Sequence, residues 1–362
     1  MNYRHTTILA RKTEGSDVTE TIDIDIKDPI SQLVITHEAT AGSDASATMH
    51  PAACITKIEI VDGSDVLYSL SGVEAQGVDW YHNLKEPANQ MLYLNGMNSE
   101  MVFNLNFGRH LWDPILALDP KRFTNLQLKV SIDVNGGGMA VSTGYLTVLA
   151  KCFDEKKISP MGFLQHKEIK SFTLANSSWE YTDLPTDYPI RKLLIRARRD
   201  AVGFDYQLAN IKLHEDNLKR VILDYTIGEV LRSIVSETPP YREKVIGYGS
   251  TGEHYFYITP GYWPSIIASP WEIGTISTVC KAYEGDGQRA ISLQTTLVGN
   301  IQHHVEGWCP HAMLQIPFGL QDVIEDWFDV AKVGNLKLEI KGAATVGTAQ
   351  TAQIVLQQLR KY

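Results

Sequence analysis

Apolar and polar residues alternate with a period of two along most of this chain, the mark of strands with one buried face. In Phe123-Thr124-Asn125-Leu126-Gln127-Leu128-Lys129-Val130, the residues Leu126, Leu128 and Val130 fall on one side. Val333-Gly334-Asn335-Leu336-Lys337-Leu338-Glu339-Ile340 repeats the arrangement with Leu336, Leu338 and Ile340. The pattern predicts strands near 20–27, 30–37, 54–61, 65–70, 100–106, 125–133, 144–151, 169–174, 190–198, 207–213, 219–225, 291–297, 312–316, 335–341 and 352–359. Helical periodicity is confined to short stretches around 78–84 and 229–235, and to Leu320–Val330, where Val323, Ile324, Trp327 and Phe328 share a face.

These elements recur in the same order. Ile30–Ile35 is echoed by Ile190–Ile195, each after an acidic-Pro context (Asp28-Pro29, Asp187-Tyr188-Pro189). Pro fixes φ and donates nothing to a ladder, which suits a strand start. The hairpin at Asp62-Gly63-Ser64-Asp65 matches one at His214-Glu215-Asp216-Asn217, and the spacing Leu67 to Gly72 recurs from Leu223 to Gly228. Phe107-Gly108 precedes Asn125 by much the same distance as Phe318-Gly319 precedes Asn335, and 144–149 pairs with 352–356. The offset between halves then jumps, which places about fifty extra residues in the second half, over 237–288. Eight strands per half with Gly, Pro and Asn turns is the jelly-roll count. The expected organisation is therefore all-β, with an N-terminal unit over 1–155, its first residues an arm, and a C-terminal unit over 156–362 carrying the insertion. Asp154–Pro160 is the expected joint.

Composition narrows the function. A chain of 362 residues suits two sandwiches better than one. The net charge of −9 argues against a nucleic-acid-coating surface. No run of eighteen apolar residues occurs, and Met1–Lys12 lacks the apolar core of a signal peptide. Cys54, Cys152, Cys280 and Cys309 then read as free buried thiols of a reducing compartment.

Candidate chemistry is sparse. His303-His304-Val305-Glu306-Gly307-Trp308-Cys309-Pro310-His311 holds metal-ligand types, but neighbours on a strand point to opposite faces, so a surface turn is expected. Asp322, Glu325, Asp326 and Asp329 read as a solvated helix face, and Gly136-Gly137-Gly138 as a turn without phosphate-loop spacing. Arg191, Lys192, Arg196, Arg198 and Arg199 read as charges protecting a strand. Neither a catalytic set, a metal site nor a cofactor site is expected. Arg4, Arg11 and Lys12 surround Ile8-Leu9 and could lie against lipid headgroups or another subunit. The insertion is rich in aromatics, so it is expected to be ordered, either as an outward contact element or as a lid on its own sandwich. Its candidate contact residues are Tyr255, Tyr257, Tyr262, Trp263 and Trp271.

The paired segments 30–35/190–195, 58–72/211–228, 107–130/318–340 and 144–149/352–356 give a chain that resembles the double jelly-roll major capsid proteins of tailless icosahedral viruses, many of which carry an internal membrane. That resemblance implies a structural, non-enzymatic protein of the virion, assembled in the host cytoplasm. Its partner would be itself, as a pseudo-hexameric homotrimer tiling a shell, with neighbouring capsomers, minor capsid or vertex proteins and internal membrane lipids, and no specific nucleic acid. The insertion would be the outer or inter-subunit element, and Met1–Lys12 an inner contact. The alternatives are a two-jelly-roll hydrolase of the amidase kind, with a carboxylate cleft between domains, and a carbohydrate-binding protein using exposed aromatics.

Overall fold

The computed structural model describes all residues except 43–46, 140, 142, 251, 271–277, 281–284, 294–298 and 348–349, and no side chain within 269–284 or 290–298. In the first half, β1 (Tyr3–Glu14), β2 (Val18–Asp23), β3 (Ile30–Thr40), β4 (Ile55–Asp62) and β5 (Asp65–Leu70) lead into α1 (Gly72–Asn83). Then follow β6 (Met91–Tyr93), β7 (Asn98–Asn106), β8 (Leu126–Ile132) and β9 (Thr143–Phe153). The second half begins with β10 (Gly162–Thr173), β11 (Trp179–Leu184), β12 (Ile190–Ala197), β13 (Leu208–Glu215), β14 (Arg220–Thr226) and α2 (Ile227–Glu237). It continues through β15 (Tyr241–Gly249), β16 (His254–Ile258), β17 (Pro260–Pro270), β18 (Thr278–Cys280), β19 (Gly287–Leu293) and β20 (Gly299–Pro310). It closes with β21 (Met313–Pro317), β22 (Leu336–Gly342) and β23 (Thr351–Lys361).

The two halves pair alike. The first stacks the sheet β1-β9-β3-β7 on β2-β8-β4-β5, and the second stacks β10-β23-β12-β21 on β11-β22-β13-β14. These are two tandem eight-stranded jelly rolls, with short helices and a long insertion in the second. Even the irregularities repeat. Register slips between Thr7 and Leu9 on β1 as between Glu168 and Lys170 on β10. It slips between Ile30 and Gln32 as between Ile190 and Lys192. Slips at Ile60/Val61 and Ile55/Lys57 on β4 recur at Leu213/His214 and Leu208/Asn210 on β13. Bulges re-aim whole strands and behave as designed features, so four at equivalent places mark a duplicated fold. Pairing partners set the equivalences: Thr7 with Glu168, Leu70 with Tyr225, and Leu149 with Val355.

Local chemistry explains the repeated sequence signals. Asp62 of the first hairpin accepts from the Thr124 and Asn125 amides (3.1 and 2.6 Å), and Asp216 of the second accepts from the Asn335 amide (3.0 Å). Each Asn-Leu strand is thus anchored at its first turn. Ser71 and Thr226 cap α1 and α2 in capping boxes with Glu74 and Glu229. The caps align Gly72 with Ile227 rather than with Gly228, one residue away from the spacing read in sequence. β8 and β22 bury alternate residues in the same pattern, and the apolar residues of both halves merge into one continuous core.

Several expectations need correction. Met1–Lys12 is no arm: β1 pairs with β9 along its length. Leu320–Val330 holds a single 3-10 turn, Ile324–Asp326, because Phe328 exchanges backbone hydrogen bonds with Ile190 (2.9 and 3.0 Å), which keeps the chain extended there. The extra segment of the second half runs on to Pro310, through β19 and β20. β10 begins at Gly162, and α1 begins at Gly72.

The glycines at the two helix starts give a test. A Cβ on Gly228 meets nothing within 4 Å, whereas one on Gly72 comes within 2.5 Å of the Ala52 carbonyl oxygen. Gly228→Ala is expected to raise stability by about 0.5 kcal/mol, and Gly72→Ala to lower it by about 1–3 kcal/mol. Thermal melts in which both substitutions shift the midpoint the same way would contradict this placement.

Candidate assembly surfaces

The joint between the jelly rolls is built from a strand ladder, an ion pair and a covering helix. β5 adds in parallel to β10, pairing Tyr68 with His166 and Ser69 with Lys167, so two four-stranded sheets become one of eight. Arg360 of β23 reaches back to Asp65 of β5 in a two-pronged ion pair, one arm 3.0 Å long. α1 is clamped over this joint and is buried on nearly every side. Gly77 lets α1 approach Met313, and the Tyr81 hydroxyl donates to the Met313 carbonyl at 2.8 Å.

Beneath α1 lies a buried polar network. Arg191 donates to Gln357 and to His82 Nδ1, both at 3.0 Å, and Gln357 contacts His166 at 2.6 Å. Lys192 donates to the Tyr81 carbonyl and to Gln315. Burial and the neighbouring Arg191 and Lys192 charges push His166 down to about 3, and burial with Arg191 pulls Lys192 down to about 7. The histidines are therefore neutral hydrogen-bonding parts of the joint. The sequence pattern of Arg191, Lys192, Arg196, Arg198 and Arg199 suggests charges edging a half-exposed strand; instead Arg191 and Lys192 are buried. β12 is a central strand between β23 and β21, with no edge to protect.

The insertion builds the sheet β17-β20-β15-β6 and a smaller one, β16-β19-β18. Its β15 pairs in parallel with β6, so the insertion of the second half is bonded to the first. A polar chain reinforces this contact. Glu243 on β15 accepts from the Thr259 amide and hydroxyl (2.8 and 2.6 Å), and His50 of the first half meets that hydroxyl at 3.0 Å. Burial raises the Glu243 carboxyl to about 7.

The expected contact aromatics separate on inspection. Trp263 is 71% exposed, Tyr262 is half-buried against the core, and Tyr255, also half-buried, bonds Glu253 at 2.9 Å. Tyr257 is a correction: it is buried, with its hydroxyl on the Thr48 carbonyl, and is not available to a contact loop. Trp271 lies outside the described residues. The basic residues of β1 do not gather either. Arg4 pairs with Asp28 (2.6 Å), Arg11 forms a fork with Glu38 (2.9 and 2.8 Å) over the Tyr145 ring, and Lys12 pairs with Glu20 (2.6 Å). Seven residues of strand separate Arg4 from Arg11, about 24 Å.

The remaining clusters do not converge. His303 lies in β20, not in a surface turn. It is buried and stacked on Phe256, with ring centroids 4.0 Å apart, while His304 faces solvent. His311 is buried edge-on against His50. Among the described residues no group of three His, Cys, Asp or Glu is placed to hold a metal ion. Gly136 and Gly137 lie against the backbone of 51–54, closing a turn. Cys54, Cys152 and Cys309 are buried free thiols; the Cys280 side chain lies outside the described residues.

One surface escaped the sequence reading. The loops after β7 and β21 are joined where Arg109 donates to the Asp322 carbonyl at 2.8 Å, and they expose Leu111, Ile115, Leu320 and Val323, with Met161 beside them. These loops leave the ends of β7 and β21 farthest from the insertion. Apolar residues within irregular segments were the available signal.

No protein-family model matches the chain, and no curated protein matches it either. Solved structures do. The major capsid protein of STIV, the Sulfolobus turreted icosahedral virus, aligns with TM-score 0.60 and 10% identity over 99% of this chain and 96% of its own. The major capsid protein of bacteriophage PM2 aligns at 0.57 and 11% over 99% and 98%, and the PBCV-1 capsid at 0.56 and 10% over 99% and 94%. The chain thus has the double jelly-roll fold found in major capsid proteins.

Glu243 offers a pH test of the insertion's attachment. Its folded pKa stands above the unfolded one, so its stabilising share is complete below about 4.5 and is lost as pH rises through about 7. Glu243→Gln removes that loss. Relative to wild type, the variant is expected to gain about 2–3 kcal/mol between pH 5 and pH 8. A difference in melting midpoint that stays constant across those pH values would exclude an effect of Glu243 ionisation.

Proposed function

We propose that this chain is a major capsid protein, a structural and non-enzymatic component of the virion of a tailless icosahedral virus. The observation that carries the reading is the duplicated jelly roll, with four register slips at equivalent places, in a chain that aligns end to end with capsid proteins of three viruses. In this reading residues 1–155 and 156–362 are the two units, and each chain supplies two similar corners of a block. Three chains close a ring of six jelly rolls, and such pseudo-hexagonal blocks tile the shell, assembling in the host cytoplasm. A heterologous, head-to-tail contact forms a closed ring when its rotation closes.

The insertion, with Trp263 at its surface, is the outward or inter-capsomer element. The opposite pole, with Leu111, Ile115, Met161, Leu320 and Val323, faces inward, towards minor capsid proteins or an internal membrane. Exposed apolar residues on loops linked in this way suit an interaction site. Of the basic residues of β1, Arg4 alone lies towards this pole, between Tyr3 and His5, which pack on Trp112 of the loop after β7. Three of the buried carboxylates are already engaged and lend the amidase reading no support: Asp79 is held by Asn83, Asn104 and Asn106, Glu243 by Thr259, and Asp286, in the cleft between the halves, by Arg198.

Sedimentation of the purified chain tests the reading directly. Three chains of 40.5 kDa give a particle of about 120 kDa with a hexagonal outline in electron micrographs. A stable monomer at micromolar concentration would overturn it.

A further inference from the structure

We propose that β14 of one chain adds in parallel to β1 of a second copy, reproducing between chains the joint that β5 and β10 make within one. This deepens the capsid reading and rests on it. The internal joint supplies the template and the equivalences supply the residues. His166 corresponds to His5, Lys167 to Thr6, Tyr68 to Leu223 and Ser69 to Asp224. The expected ladder therefore sets His5 opposite Leu223 of the next copy, and Thr6 opposite Asp224.

Three observations point to this occupant. First, among the described residues both strands are edges: β1 is bonded to β9 alone, and β14 to β13 alone. An unpaired edge is a template for another strand. Second, burial differs at equivalent positions. Leu70 is fully buried at the internal joint, whereas Tyr225 in the same place on β14 is 47% exposed. On the receiving side, Val355 is fully buried, whereas its equivalent Leu149 is 37% exposed. In each pair the exposed member is an apolar residue that lacks the covering its twin receives.

Third, charge is complementary. Asp65 corresponds to Arg220, because both pair with the residue that ends the preceding strand, Asp62 and Glu215. Arg360 corresponds to Asp154, through the pairing of Leu359 with Leu164 and of Phe153 with Tyr3. The internal Asp65–Arg360 ion pair thus becomes an Arg220–Asp154 pair between copies, with the sign reversed on both sides. A chance exchange at one position would place like charges together; the exchange at both retains attraction. Arg220 is exposed, and its present partner Glu215 lies on its own hairpin.

Charge exchange followed by sedimentation tests the contact. Arg220→Asp sets two acids together, Asp154→Arg sets two bases together, and the double variant recreates the polarity of the internal joint. Each single variant is expected to raise the trimer dissociation constant about tenfold or more, since close charge pairs at interfaces couple strongly. The double variant is expected to return to within about threefold of wild type, with circular dichroism unchanged throughout. Thr6→Cys with Asp224→Cys gives a second measurement that does not depend on charge: oxidation is expected to yield a covalent species near 120 kDa on a non-reducing gel, absent from either single variant. A wild-type trimer in which the exchange shows no rescue and the cysteine pair no cross-link would overturn this interface while leaving the capsid reading standing. A wild-type monomer would overturn both.

Discussion

The structure is governed by what must happen at a strand edge. An edge presents a row of unpaired amides and carbonyls, and it must be covered, bent away or joined. Here the edge of the first jelly roll at β5 is joined to β10, and most other features of the middle of the molecule follow. α1 lies over the join, so it is buried on nearly all sides, whereas its counterpart α2 keeps a polar outer face and buries only Ile227, Val230, Leu231 and Ile234. The same covering forces Arg191, Lys192, His82, His166 and Gln357 into the interior, where each must find a partner.

The insertion obeys the same rule. In both halves the connection between the helix and the next strand carries extra structure, only β6 in the first and β15 to β20 in the second. A three-residue strand is too short to stand alone. β6 gains a partner in β15, and the larger sheet gains an attachment to the other half. The buried Glu243–Thr259–His50 chain sits at that attachment, in the kind of position where a polar group fixes one arrangement among several similar apolar ones.

Much of this was legible because the repeat is written in turn and edge chemistry. Asn125 and Asn335 were visible as a pair, and the structure shows why: each begins a strand whose amides are held by a hairpin aspartate. β1 was misread because its alternation is polar, Arg4-His5-Thr6-Thr7, as suits an edge strand with one face in solvent. The true end of the insertion was missed for a related reason. β20 buries alternate residues of which one is His303, and a histidine stacked on Phe256 leaves no apolar mark in the sequence. The helix read over Leu320–Val330 had a sound period of its own, but two hydrogen bonds to Ile190 outweighed it, as tertiary pairing commonly does over a short stretch. The apolar pole was illegible because exposure of Leu111 or Leu320 depends on where a loop lies, not on its local pattern.

Identity near one residue in ten with proteins of the same fold shows what such a chain must keep. Side chains are replaced freely while the overall fold persists. Duplication within one chain then gives an internal control that comparison with distant proteins lacks. Equivalent residues began in equivalent surroundings, so a pair that now differs in burial shows where one half is covered and the other is not. Leu70 with Tyr225, and Val355 with Leu149, differ in this way at the two sides of one joint. Both uncovered members are apolar: Tyr225 lies on the edge strand β14, and Leu149 on β9, next to the edge strand β1. The interface proposed above would cover both, as the internal joint covers their twins.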